Sequence, residues 1–101
     1  MNTTITARHC EISDELRDRA AAVLSRLGGL LTRPLEVAAI FDMMSTRATA
    51  EIRVVGVRER YLATGEDKDH RTALDRAEDK IRRQLDKPAQ MKRHRRAKGA
   101  A

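Results

Sequence analysis

Arg47-Ala48-Thr49-Ala50-Glu51-Ile52-Arg53-Val54 alternates without a break, with Ala48, Ala50, Ile52 and Val54 on one side and Arg47, Thr49, Glu51 and Arg53 on the other. Successive side chains of a strand leave opposite faces, so this segment belongs to a sheet with one dry and one wet side. Helices must cover the dry side. Upstream, beyond Pro34, the same period runs through Leu35, Val37, Ala39, Phe41 and Met43, with Glu36 and Asp42 between them and Ala38 and Ile40 as interruptions. Downstream, Gly56-Val57 makes a turn, and Arg58 to Thr64 reads as a further strand in which Tyr61 and Ala63 share a face and which Gly65 ends. At the start of the chain, residues 2–8 are rich in threonine, with Ile5 and Ala7 facing away from Asn2, Thr4, Thr6 and Arg8. This is the first strand.

Two helices complete the pattern. Ser13 sits in a capping position, followed by Asp14 and Glu15, which suit the positive end of a helix dipole. Leu16, Ala20, Val23, Leu24 and Leu27 then fall at helical spacing, and Gly28-Gly29 supplies the stop. Arg19 and Arg26 share one flank of this helix. The second helix is expected from about Asp69 to Lys87, with Leu74, Ala77, Ile81 and Leu85 as its buried stripe. Projection at 100° per residue puts Arg76, Lys80, Arg83 and Lys87 opposite that stripe, and Asp75, Asp79 and Asp86 in a band between. A ridge of this kind is often only a solvated face, and Asp79 with Arg83 forms an ordinary i,i+4 pair. The order β-α-β-β-β-α implies an α+β sandwich, a mixed four-stranded sheet covered on one face by two helices. A right-handed crossover through the first helix makes the first two strands parallel.

A chain of 101 residues supports one such domain. Its net charge of +6 is uneven, because residues 1–86 hold 15 basic and 15 acidic side chains, whereas 87–101 hold six basic and no acidic ones. The expected organisation is therefore a folded domain over 1–87 and a flexible basic tail over 88–101, which opens on Pro88 and has little to bury. A basic block of this kind most often meets nucleic acid or an anionic surface, and the ridge on the second helix runs straight into it. The result is one continuous positive track suited to a phosphate backbone.

Several classes of function are excluded. The lone Cys10 cannot form an internal disulfide, and Phe41 and Tyr61 are the entire aromatic content, too few for a base-stacking platform. No apolar stretch is long enough for a membrane span, and the first residues lack the features of a signal peptide, so a cytoplasmic location is expected. Ser13, Ser25 and Ser45 stand in no nucleophile context, and His9, His70 and His94 have no triad or zinc-ligand spacing. Phosphate-cradling glycine loops are missing too. Neither catalysis nor a cofactor nor a small-molecule substrate is expected.

With these elements in place, the sequence resembles the ribosome hibernation-promoting factor family, also called ribosome-associated inhibitors, protein Y or sigma-54 modulation proteins. Ile5-Thr6 followed by Glu11-Ile12-Ser13 is similar to the family's opening I-T and E-I-T. Ala73-Leu74-Asp75, Asp79-Lys80 and Arg83-Gln84-Leu85 resemble its A-I-D, D-K and R-Q-L run. The likeness spans about residues 3–87. It implies a stress or stationary-phase protein that occupies the decoding channel of the small ribosomal subunit, contacts ribosomal RNA and sterically blocks messenger and transfer RNA. The family's basic positions fall here on Arg26, Lys80, Arg83 and Lys87. Arg19 and Arg76 extend the same surface by helical projection, and Lys92, Arg93, Arg95 and Arg96 continue it into the tail.

Three departures stand out. Val23 replaces a basic residue common among relatives, Arg71 replaces an aromatic one, and Glu78 occupies a normally apolar place. The chain also ends short of the C-terminal domain of long family members, so pairing of ribosomes would need another protein, and the free protein is expected to be a monomer. Two alternatives describe the same features: a general double-stranded RNA-binding module, and a protein-interaction adaptor that modulates transcription.

Overall fold

The computed structural model describes the backbone of residues 1–100 and the side chains of residues 1–85. Its elements run β1 (Asn2–Arg8), α1 (Asp14–Gly28), β2 (Pro34–Met44), β3 (Arg47–Gly56), β4 (Arg60–Asp67) and α2 (His70–Ala100). The backbone of α2 runs on to Ala100, past the end expected near Lys87, and the flexible basic tail expected over 88–101 falls outside the residues whose side chains are described.

The strands lie in the order β1-β2-β3-β4, with β1 and β2 parallel and the other two pairs antiparallel. This is the expected mixed sheet. Parallel pairing of β1 with β2 requires the chain to return through α1, which packs on the dry face. Val37, Ala39 and Phe41 of β2 meet Ile52 and Ala50 of β3, and Ala63 of β4, across that face. Onto it α1 buries Ala20, Val23, Leu24 and Leu27, and α2 buries Ala73, Leu74, Ala77 and Ile81. Val23, expected on the buried side of α1, is fully buried.

Local chemistry fixes the ends. The Ser13 hydroxyl accepts from the Leu16 N–H at 3.0 Å and caps α1. A two-residue loop, Ser45-Thr46, joins Met44 to Arg47, and Ser45 takes the positive φ of 60° that tight hairpins use. The loop after β1, at the same end of the sheet because β1 and β2 are parallel, is tied down by Asp42. The Asp42 carboxylate lies 3.0 Å from His9 Nδ1, and its carbonyl accepts from His70 Nε2 at 2.8 Å. His70 also stands edge-on to Phe41.

One expectation is corrected. Gly65 does not end β4, which continues to Asp67. Gly65 faces α2 so closely that an added Cβ would overlap the Ala73 carbonyl and lie 2.7 Å from the Ala77 nitrogen. The glycine is there for the approach of a helix, not for a turn.

Asp69 heads α2, accepting from the Thr72 N–H at 2.8 Å and the Thr72 hydroxyl at 3.1 Å. These bonds, the backbone one first, hold its pKa below the ordinary carboxylate value, and the His9 bond followed by the Met43 N–H does the same for Asp42. A carboxylate with a depressed folded pKa stabilises the fold above its unfolded pKa, and that contribution vanishes as pH falls through the folded value. The melting temperature is therefore expected to drop as pH is lowered below about 4. Asp69→Asn, which keeps a capping oxygen but cannot titrate, should flatten the drop in a series of thermal melts. An unchanged profile would show that this cap contributes nothing to the acid response.

Candidate nucleic-acid interface

The two helices lie side by side on the sheet and carry the basic residues singled out in the sequence. Arg19 of α1 reaches Asp75 of α2, donating through Nε at 3.2 Å and an Nη at 2.8 Å to one carboxylate oxygen. Arg26, two turns further along α1, donates to Glu78 at 3.3 Å. Glu78 also receives Arg82 at 3.3 Å, so one carboxylate joins guanidinium groups from both helices. The Glu78 side chain is only 14% exposed, and the paired charges offset its desolvation.

Arg76, Lys80 and Arg83 form a second group. Arg76 pairs with Asp67 at 3.3 Å, Lys80 Nζ donates to the Thr64 carbonyl at 2.7 Å, and Arg83 pairs with Asp79 at 2.7 Å. Together with Glu66 they line a shallow hollow beside β4. The ridge is therefore rotated from its expected position. Arg76 and Lys80 lie on the flank that meets β4, not opposite the core, because Ala73 is buried as well and turns that flank toward Gly65. Lys87, Lys92, Arg93, Arg95 and Arg96 lie outside the described residues.

The structure thus sorts the expected residues into a seam between the helices, Arg19 and Arg26, and a flank along β4, Arg76, Lys80 and Arg83. Arg82 was missed and joins the seam. Its signal in the sequence was Glu78 four residues earlier, a spacing that pairs opposite charges on a helix. Arg71 is exposed and borders a hollow at the helix starts with Glu11, Glu15, Arg19 and Asp69.

Every arginine of the two groups is held by a carboxylate, so the face is not a bare cationic strip. The pairs of Arg76 and Arg83 are nonetheless superficial, these side chains being 59% and 77% exposed, whereas the mostly buried Glu78 holds Arg26 and Arg82 more firmly. Surface pairs contribute about 0–1 kcal/mol, little enough for an incoming phosphate to replace the carboxylate. Phosphate suits the planar guanidinium fork well.

Other chemistry is sparse. Burial raises the Cys10 thiol pKa, with the Asp42 charge adding to the effect, which is the reverse of a reactive thiolate. Among the described residues, no group of three or more His, Cys, Asp or Glu side chains is arranged to hold a metal ion, and no helix is long and apolar enough to cross a membrane.

Comparison with known proteins supplies the context. The family model described as sigma 54 modulation protein / S30EA ribosomal protein matches residues 3–93. Among solved structures, the chain is similar to the N-terminal domain of Thermus thermophilus protein Y, with 30% identity and a TM-score of 0.74 over 86% of this chain and 98% of that one. A ribosomal subunit interface protein from Coxiella burnetii shares the fold, with a TM-score of 0.77 at 21% identity over 88% of this chain and 98% of that one. No curated protein matches the chain.

Proposed function

Because the chain belongs to the sigma 54 modulation protein / S30EA ribosomal protein family, the hibernation-promoting factors that its sequence resembles, we propose that it silences ribosomes by occupancy. In this reading it binds ribosomal RNA in the decoding channel of the small subunit, in the cytoplasm, and excludes messenger and transfer RNA. The observation that carries the reading is the pair of adjacent helices bearing Arg19, Arg26, Arg76, Lys80, Arg82 and Arg83, of which Arg76 and Arg83 stand in exposed, exchangeable pairs. Lys87, Lys92, Arg93, Arg95 and Arg96 prolong that set along the sequence. Inhibition requires no bond to be made or broken. The protein works as a monomer that fills space and exchanges internal carboxylates for phosphates.

Binding by phosphate neutralisation has a quantitative mark. Each phosphate engaged contributes about −0.7 to −0.9 to the slope of log K against log salt. Four or more contacts predict a slope of about −3 or steeper for co-sedimentation of the purified protein with small subunits. A slope near zero would refute the phosphate contacts. Simple RNA duplexes should bind far more weakly than subunits at the same salt, and equal binding would instead indicate general duplex recognition.

A further inference from the structure

Seven large apolar side chains stand exposed among the described residues, and four of them gather at one end of the sheet: Met1, Leu30, Leu35 and Val57, each more than half exposed. This is the end where α1 finishes, β1 and β2 begin, and β3 turns into β4. It is a built surface. The Val57 N–H donates to the Arg33 carbonyl at 3.1 Å, and the Gly56 N–H donates to the Glu59 carbonyl at 2.7 Å, so the β3–β4 tip is tied both to itself and to the segment that follows α1. A Cβ at Gly56 would stand 3.1 Å from the Arg33 carbonyl oxygen and 3.3 Å from Leu31 Cδ1, closer than side chains ordinarily pack. Between the two tied segments lies a cleft of about 370 Å³ lined by Thr32, Arg33, Val57, Arg58 and Glu59.

Part of the charge at this end is unpaired among the described residues, as it also is at Arg17 of α1 and Arg71 of α2. Among the described residues, Arg33, Arg58 and Arg60 form no ion pair, whereas Arg19, Arg26, Arg76, Arg82 and Arg83 are all matched by carboxylates. Two carboxylates stand nearby, one of them in the same cleft, without forming an ion pair to these arginines. Glu59 accepts from the Tyr61 hydroxyl at 2.8 Å, and Glu36 shares a hollow on the open sheet face with Arg53 and Arg60 without pairing.

We propose that this end of the sheet is a docking surface for an acidic protein segment that carries aliphatic side chains. Carboxylates of the partner meet Arg33 and Arg58, while its aliphatic groups cover Val57, Leu30 and Leu35. Exposed apolar groups flanked by arginine are the composition of a protein interface, and a phosphate backbone would leave the apolar part wet. A second copy does not fit, because it would bring arginine against arginine. The proposal is independent of the ribosome reading, which rests on the helices.

The test is a titration of the isotopically labelled full-length chain, followed by amide resonances, with a synthetic peptide of repeating Glu and Leu. Saturable shifts confined to Thr32, Arg33, Val57 and Arg58 and their neighbours are expected. The same peptide with Leu replaced by Ser should bind at least tenfold more weakly, as should the Arg33→Gln/Arg58→Gln and Val57→Ser variants, each checked for an unchanged circular dichroism spectrum. The proposal is overturned by an equal response to the serine peptide, by equal binding of an oligouridylate at this end, by shifts centred on α1 and α2, or by no saturable shift.

Discussion

Alanine at position 65 is expected to lower the melting temperature by about 10 °C or more, or to prevent folding. Its Cβ would overlap the Ala73 carbonyl oxygen and stand 2.7 Å from the Ala77 nitrogen, and both atoms belong to the backbone of α2. A side chain in the way could rotate. Helical backbone cannot, so α2 must lift away from β4 and loosen Ala73, Leu74, Ala77 and Ile81, all of them fully buried. Overpacking a core typically costs about 1–3 kcal/mol, and a rigid obstacle belongs at the upper end. For a domain of this size each kcal/mol corresponds to about 4–8 °C. Gly29→Ala is the control, since its Cβ would approach the Ser25 and Arg26 carbonyl oxygens no closer than 3.4 Å. It should leave the melt within a few degrees. A melt of Gly65→Ala equally close to the parent's would mean that α2 does not rest on β4 as described.

Gly65 also marks how far the sequence could be read. Period-two and helical patterns placed the elements because they record burial along each element, and burial was correct for Ala48, Ala50, Ile52 and Val54 and for Leu74, Ala77 and Ile81. A glycine is different: the same residue marks a turn or a close approach, and only the neighbouring element distinguishes them. The rotation of α2 follows from the same cause. Ala73 is small enough to be buried or exposed, and its burial against Gly65 places Arg76 and Lys80 beside β4. Pairing of charge was legible only within a helix, as for Asp79 with Arg83. Arg19 with Asp75 and Arg26 with Glu78 are 56 and 52 residues apart, so no spacing rule reaches them. Their pairing depends on the packing of α1 beside α2.

Reversing charge at two flank positions, Lys80→Glu with Arg83→Glu, is expected to reduce co-sedimentation with small subunits by about a hundredfold or more. Each substitution removes a cation and places an anion where a phosphate should sit, and like-charge contacts at an interface cost several kcal/mol. The fold should barely notice. Lys80 and Arg83 are exposed, and the Arg83 pair with Asp79 contributes only about 0.2–0.5 kcal/mol as an i,i+4 interaction. The like-charge contact that Arg83→Glu sets against Asp79 would cost a similar amount. Thermal unfolding within a few degrees of the parent, together with lost binding, would locate the defect in the interface. Asp79→Asn provides the opposite arm. It removes the carboxylate that occupies Arg83 and should tighten subunit binding several-fold while steepening its salt dependence, because a competitor for the guanidinium has gone. Binding that survives the double reversal would remove the helix face from the interaction, and binding that weakens with Asp79→Asn would show that the carboxylate orients Arg83 rather than competes for it.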